Sequence, residues 1–284
     1  MLLPLLATTA AMACFQAGAA VAKGLFPAVG PQGAAALRLT FGALFLIVIG
    51  RPWRRWPTPA PLWPIVGLGL AVAGSVLCFF QALTHLPLGV ALPLQFIGPL
   101  GVAVATSRKL SDLLWTALAA AGVWSLVGAG QAGTHIDLGG VPWALGAAVG
   151  WASYILCGRA AGAAWGQTAA PLSLGVAAVI VLPVGIVHAG AALFDPALLP
   201  LALGVGLLSG ALPFALELYA MPRLPARTFA TYTSLEPAFS VLVGLIVLHE
   251  RLAPIQLAGV AAVIAAAAGA TWANAGKAAP MPGA

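Results

Sequence analysis

Along most of the chain, apolar runs of about twenty residues alternate with short polar or glycine- and proline-rich interruptions. The runs fall at 3–22, 31–50, 62–84, 88–106, 112–130, 138–158, 168–188, 197–220, 228–248 and 254–274. A helix rises ~1.5 Å per residue, so about twenty residues cross a hydrocarbon core of ~30 Å. Each run therefore predicts one spanning helix. Strands of a transmembrane barrel would alternate apolar and polar positions over ~10-residue segments, whereas these runs are continuous and rich in alanine and leucine. The pattern predicts an all-α integral membrane protein with ten transmembrane helices joined by short loops.

Composition agrees. Charged residues make up 6% of the 284 and hydrophobic residues 62%, with a mean hydropathy of +1.04; an ordinary soluble domain is roughly 25% charged. The longest polar interruption is RPWRRWPTPAP at 51–61, which leaves no room for a soluble domain, and the tail over 276–284 reads as disordered. MLLPLLATTAAMAC resembles a lipoprotein cleavage box before Cys14. It lacks the basic region of a signal peptide, and the apolar pattern continues beyond it, so a retained first helix is expected. Cys14, Cys78 and Cys157 all fall inside spans, where they act as small apolar side chains rather than as a disulfide framework.

Charge orients the helices. With a cytoplasmic N-terminus, the inner loops and C-terminal tail hold Arg51, Arg54, Arg55, Arg108, Lys109, Arg159, Arg223, Arg227 and Lys277, against Lys23 and Arg251 outside and Arg38 within a span. The positive-inside rule therefore places both termini in the cytoplasm. The net charge of +6 follows from that asymmetry. No clustered basic face is present, so nucleic acid is not an expected partner; membrane lipid is.

The chain also repeats itself. QALTHLP at 81–87 and YAMPRLP at 219–225 each straddle a turn between two spans, and each terminal proline is followed twelve residues on by another, Pro87 by Pro99 and Pro225 by Pro237. In the ten-span topology the first turn faces out and the second faces in. This predicts two five-helix halves, 1–135 (spans 1–5) and 136–275 (spans 6–10), of opposite orientation. Inverted repeats of this kind build secondary transporters, with the substrate site near the midplane between the halves.

Polar residues inside the spans need a reason, because an unpaired polar group in hydrocarbon costs several kcal/mol. Glu236 lies roughly 12 Å along span 9 with Pro237 behind it, in TSLEPAFS. Proline removes a backbone bond, and the freed carbonyl, that of Thr233, is tolerable only beside protein or a water-filled cavity. Glutamate and proline together mark a cavity-facing helix break; the carboxylate contacts substrate or a proton, or forms a structural ion pair. Arg38 in span 2 can bind a substrate carboxylate, brace another helix, or snorkel. Glu217 shares a helix face with Pro213 and either lines an inner gate or caps packing. Gln95 stands between Pro93 and Pro99. Gln16, Gln81, Tyr154, Tyr219 and Tyr232 complete the inventory, with Tyr232 too deep for an interfacial belt. The expected cavity set is thus Gln16, Arg38, Gln81, Gln95, Tyr154, Glu217, Tyr232 and Glu236, with helix breaks at Pro93, Pro99, Pro213 and Pro237. GxxxG at 146–150 and 206–210 predicts close helix packing.

The four histidines lie at span ends without metal-ligand spacing, and there is no Walker loop or nucleotide fingerprint. No cofactor or metal is expected, nor is transport driven by ATP on this chain alone. A channel would show charged rings or a carbonyl filter, and an enzyme a nucleophile–base set; neither is visible.

The stretches AKGLFPAVG, LRLTFGALFLI, LPLGVALPLQFIGPL, WASYILCG and RLPARTFATYTSLEPAFSVLVGLIVLHERLAPIQLAG closely resemble the EamA/RhtA-type exporters of the drug/metabolite transporter superfamily, over about residues 10–275 and in order. The resemblance implies two EamA repeats, a central cavity lined by spans 1, 3, 4, 6, 8 and 9, and export of amino acids and related metabolites across a bacterial inner membrane by alternating access. The threonine/homoserine branch is nearest, with aromatic amino-acid exporters as relatives. The family's glutamate–proline pair falls on Glu236 and Pro237 and its first-half proline on Pro99, where Gly98 occupies the position corresponding to Glu236. Broad metabolite or drug export and facilitated diffusion are the alternative readings. With no nucleotide site, exchange against protons through Glu236 or Glu217 is the expected coupling. A monomer and a homodimer both fit.

Overall fold

The computed structural model describes residues 2–54, 60–105, 110–128, 137–220, 223–224 and 232–274. Among these there is no strand. The helices are α1 (Leu2–Lys23), α2 (Phe26–Gly50), α3 (Trp63–Ala82), α4 (Leu88–Gln95), α5 (Ile97–Ala105), α6 (Leu110–Gly128), α7 (Gly140–Trp165), α8 (Ala169–Ala189), α9 (Leu199–Gly206), α10 (Leu212–Ala220), α11 (Glu236–Val247) and α12 (Pro254–Asn274). Five described stretches are long and apolar enough to cross a membrane: Leu2–Lys23, Phe26–Arg54, Trp63–Ala82, Gly140–Phe194 and Pro196–Glu217. Several expected features lie outside the described residues: Arg55 and Trp56, Arg108 and Lys109, the boundary near 135, Pro225, Arg227 and the tail.

The ends of the helices follow from local chemistry. Proline sits in the first turn of α2, α3, α9 and α11, where its missing N–H costs nothing and its fixed φ suits the helix. Gly166 and Gly190 close α7 and α8 at φ +52° and +56°. Arg51 closes α2 in the left-handed region, φ 42°, returning its N–H to the Ile47 carbonyl at 2.9 Å. Inside α2 the backbone breaks at Gly30, φ 68° and ψ 175°, directly before Pro31; the run expected from 31 therefore begins at a kink, with an extra turn ahead of it. The run expected at 138–158 continues as helix to Trp165, so Arg159 lies within α7 rather than in a loop.

Three expected spans are discontinuous. The 88–106 run is two helices separated by Phe96. Pro93 leaves α4 intact; the split falls where Pro99 has no N–H to return to the Gln95 carbonyl four residues back. The 197–220 run passes through a π-helical turn at Leu207–Ala211 before Pro213. The 228–248 run breaks at the Ser234–Leu235 turn, so that Pro237 sits in the first turn of α11 instead of mid-helix. In both the fourth and the ninth runs, the break lies within four residues ahead of the proline.

Helix pairing is extensive between α2 and α8, α3 and α7, and α6 and α12; α1 packs on α10 and α11, and α4 on α7 and α11. Glycine sets how close the axes come. A Cβ on Gly150 would lie 2.7 Å from Ser75 Cβ and one on Gly146 3.1 Å from Cys78 Sγ, which seats the first GxxxG of α7 on α3. A Cβ on Gly206 would lie 2.5 Å from Phe41 Cβ, and one on Gly210 2.8 Å from Gly42 Cα, which seats the second GxxxG on α2. Outside the spans, Asp137 binds His85 and accepts from the Gly139 N–H at 2.9 Å, tying the α3–α4 turn to the start of α7. The Gly139 bond, then the His85 bond, hold the Asp137 carboxyl below its ordinary range.

Alanine at Gly206 forces α9 and α2 apart, an overpacking cost of ~1–3 kcal/mol. Nothing lies within 4 Å of a Cβ at Gly204, on another face of the same helix. Gly206→Ala should therefore lower the thermal unfolding midpoint in detergent while Gly204→Ala leaves it unchanged or raises it; equal midpoints for the two would show that the contact does not limit packing.

Candidate functional site

A cavity of about 440 Å³ opens between the helices near the centre of the bundle. Each wall is one face of one helix. α1 contributes Phe15, Gln16 and Ala19, and α3 contributes Val72, Ser75, Val76 and Phe79. α7 contributes Trp151, Tyr154 and Ile155, and α10 contributes Phe214 and Glu217. These sets are spaced by three and four residues, the interval that stacks side chains on one helix face. Leu92 of α4, Leu174 of α8 and Ala267 of α12 add apolar surface, and the breaks contribute further residues: Gln95, Phe96, Pro99 and Leu100 from the α4–α5 junction, Ser209 and Gly210 from the π-helical turn, and Thr233, Ser234 and Glu236 from the entry to α11. Arg38 and Leu39 of α2 close the wall.

Six of the eight residues expected to line a cavity are thus brought together: Gln16, Arg38, Gln95, Tyr154, Glu217 and Glu236. Two are not. Gln81 accepts from Gln32 Nε2 at 3.1 Å near the Lys23 end of the bundle, and the Tyr232 hydroxyl bonds Thr9 Oγ1 at 2.8 Å, joining α1 to the segment before α11. Both tie elements together away from the cavity. The side chain of Tyr219 lies outside those described.

Arg38 has an unusual anchor. Pro213 has no N–H for the carbonyl of Ser209, four residues back, and that carbonyl accepts from Arg38 Nη2 at 3.2 Å. The guanidinium also lies 5.3 Å from the centre of the Phe80 ring, an arrangement in which the ring's negative face offsets part of the lost hydration. The arginine is held by a helix irregularity rather than by an acid; both salt bridges found among the described residues, Lys23–Glu250 and His85–Asp137, lie elsewhere.

Glu236 opens α11 and so has its carboxylate beside the helix N-terminus, where negative charge is favoured. Gln16 Nε2 donates to its Oε1 at 3.0 Å. Gln16 is 3% exposed and its own Oε1 is buried without a hydrogen-bond partner, so the glutamine is held by the glutamate alone on its polar end. Glu217 and Arg38 both stand near enough to act on Glu236 through space, and Tyr154 lies in the field of Glu217. The cavity therefore carries one fixed cation and two carboxyl groups. Gln95 donates to Ser75 Oγ at 3.0 Å, and Ser75 donates to the Ala147 carbonyl at 3.0 Å, a relay that pins the α4–α5 break to α3 and α7.

Gly98, which precedes Pro99 as Glu236 precedes Pro237, faces protein. A Cβ there would lie 2.1 Å from the Ala148 carbonyl oxygen of α7, so no side chain fits. Sequence reasoning missed the hydroxyls of Ser75, Ser209 and Ser234 and the aromatic wall of Phe15, Phe79, Phe96, Trp151 and Phe214. Phe96 meets Trp151 edge-on at 4.8 Å and Phe15 meets Phe214 edge-on at 5.7 Å. The signal was available: Val72, Ser75, Val76 and Phe79 form one helical stripe, but an apolar stripe in a membrane helix does not say whether it faces lipid or cavity.

Comparison with known proteins identifies the family. The profile of the EamA-like transporter family matches residues 138–272. The threonine/homoserine exporters RhtA of Escherichia coli (strain K12) and Salmonella typhimurium (strain LT2) are each 44% identical over 269 residues, spanning 95% of this chain and 91% of theirs. A crystal structure of a protein 19% identical to this chain superposes with a TM-score of 0.61 over 95% of this chain and 96% of the other, a likeness of fold. On the strength of its near-full-length identity to curated exporters, the chain is a transporter and belongs to the EamA-like transporter family.

Proposed function

We propose that the chain exports amino acids across the inner membrane by alternating access, using ten spans arranged as two inverted five-helix halves with both termini in the cytoplasm. The cavity is the observation that carries this reading. It offers a cation, Arg38, and the carboxyl groups of Glu236 and Glu217 around one apolar space, and a zwitterion has one group for each. Arg38 retains guanidinium donors beyond the Nη2 bond to Ser209, enough to take an α-carboxylate. Glu236, Glu217 and the hydroxyls beside them accept from an α-ammonium, leaving the side chain against the aromatic wall. The names of the 44%-identical relatives support threonine and homoserine as the first substrates to test. The aromatic wall favours a second reading, a wider range of amino acids and related metabolites.

Helix pairing supports the two-half arrangement. Counting α4 with α5, and α9 with the π turn and α10, as single spans gives ten. The pairs then exchange under a swap of first-half and second-half spans: α3 with α7 answers α10 with α1, and the α4–α5 span with α7 answers α11 with α1, while α2–α8 and α6–α12 map onto themselves. Charge supports the orientation: nine of the twelve basic residues fall in the segments read from the sequence as cytoplasmic.

Cysteines introduced in 51–61 and in the C-terminal tail should label only from the cytoplasmic side, and one at Leu138 only from outside. Labelling of 51–61 and Leu138 from the same side would remove this topology.

Glu236→Gln replaces a charged acceptor by a neutral amide. Loss of a charge-assisted hydrogen bond worth ~1.5–3 kcal/mol lowers affinity roughly 10- to 100-fold. Amino-acid flux in proteoliposomes should fall by at least about tenfold at subsaturating substrate, with membrane expression near normal; flux at the wild-type rate would return Glu236 to a structural role.

Energy must come from gradients. A zwitterion carries no net charge, and an inward proton taken by Glu236 or Glu217 would couple its export to the proton gradient. An imposed pH gradient should then drive accumulation of labelled threonine above equilibrium in proteoliposomes, and a protonophore should abolish it. Equal fluxes with and without the gradient identify facilitated diffusion.

A further inference from the structure

At the Lys23 end of the bundle, three helices meet on one carboxylate outside the cavity. Lys23 Nζ, at the C-terminus of α1, donates to Glu250 Oε1 at 3.1 Å, and the Leu88 N–H, at the start of α4, donates to Oε2 at 2.8 Å. Glu250 follows α11 by three residues, and its own N–H returns to the Gly244 carbonyl in the last turn of that helix at 2.9 Å. The reversal that makes this possible is His249, at φ +54°, a conformation non-glycine residues seldom adopt. Position 244 cannot carry a side chain without disturbing the arrangement, because a Cβ there would stand 2.6 Å from Glu250 Oε2. The turn and the glycine together aim the carboxylate back across the mouth between α1 and α4.

Each tethered helix contributes to the cavity: α1 through Gln16, α4 through Leu92, α11 through Glu236. Around the tether Leu25, Leu86 and Leu88 are fully buried, so the bundle is closed at this end. A substrate leaving here can pass only if α1, α4 and α11 separate. The two charged side chains are 25% and 13% exposed, sheltered enough for their attraction to count and near enough to the surface for water to take them up when they part. A deeper pair would strand a charge on opening, and a fully exposed one would hold little.

The structure assigns Glu250 as the latch of this gate: its bonds to Lys23 and to the Leu88 N–H keep the mouth shut and break on each opening. It is a positioning residue, since it touches the helices and not the cavity. The assignment rests on the transport reading above, and under the proposed orientation the gate is the outer one.

The test uses Val76→Cys, on the cavity wall, in a full-length chain whose Cys14, Cys78 and Cys157 are replaced by alanine. A membrane-impermeant maleimide is added to vesicles on the side from which a separate Leu138→Cys control labels. Lys23→Met, Glu250→Gln and Gly244→Ala should each raise the rate at which the Val76→Cys thiol labels by about tenfold, whereas Lys23→Arg, which keeps the pair, should leave it unchanged. Gly244→Ala carries the argument independently of charge, since it displaces the carboxylate and removes no ionisable group. Unchanged labelling in all three variants, with normal gel-filtration profiles and unchanged Leu138→Cys labelling, overturns the latch; so does Lys23→Arg matching Lys23→Met. Amino-acid flux through the unmodified protein is measured separately. Raised labelling without any wild-type flux keeps the latch and removes the export reading, and flux with unchanged labelling does the reverse.

Discussion

The arrangement of the cavity depends on the approach of α2 to the π-helical turn, where a Cβ on Gly210 would come within 2.8 Å of Gly42 Cα. Lipid supplies no hydrophobic force between helices, so association rests on van der Waals contact and interhelical hydrogen bonds, and small residues maximise both. Gly18 of α1 joins the same junction, against Ser209. Three helices are therefore held backbone to backbone at the depth of the cavity. The position of Arg38 depends on this: only with α2 so near can its guanidinium reach the Ser209 carbonyl.

That bond also shows how the protein reconciles polarity with its surroundings. Proline in a membrane helix leaves a carbonyl without its donor, and the carbonyl needs protein or water nearby. Here Pro213, Pro99 and Pro237 all act close to the cavity, and the polar side chains cluster at the same places: Arg38 at the first, Gln95 with Ser75 at the second, Glu236 with Gln16 at the third. Helix breaks and polar side chains are a single feature, in which each makes the other tolerable.

This coupling also explains what could be read from the chain beforehand. The apolar runs were legible because hydrocarbon thickness dictates their length, and Glu236 with Pro237 was legible because both are expensive in that setting. The location of each break was less so. Pro93 and Pro99 look alike in the sequence, yet α4 runs through the first and ends short of the second, since whether a freed carbonyl finds a partner depends on neighbouring helices. Gln81 and Tyr232 illustrate the same limit: their partners, Gln32 and Thr9, lie on other helices, and a polar residue in a span reveals a need for a partner without naming it. The serines and aromatic residues of the cavity wall were invisible for the opposite reason, being inexpensive on either face of a membrane helix.

Gly98 has a wider consequence. The α5 backbone is pressed so tightly to the Ala148 carbonyl that no side chain can stand one residue ahead of Pro99, whereas the residue one ahead of Pro237 is Glu236. Two breaks that look alike in backbone therefore differ in kind: one is sealed by packing and the other carries a carboxylate into the cavity. The polarity of the cavity is lopsided for a steric reason. A second carboxylate at position 98 would take more than a substitution, because α5 would first have to be lifted off α7, exchanging a rigid contact for a loose one.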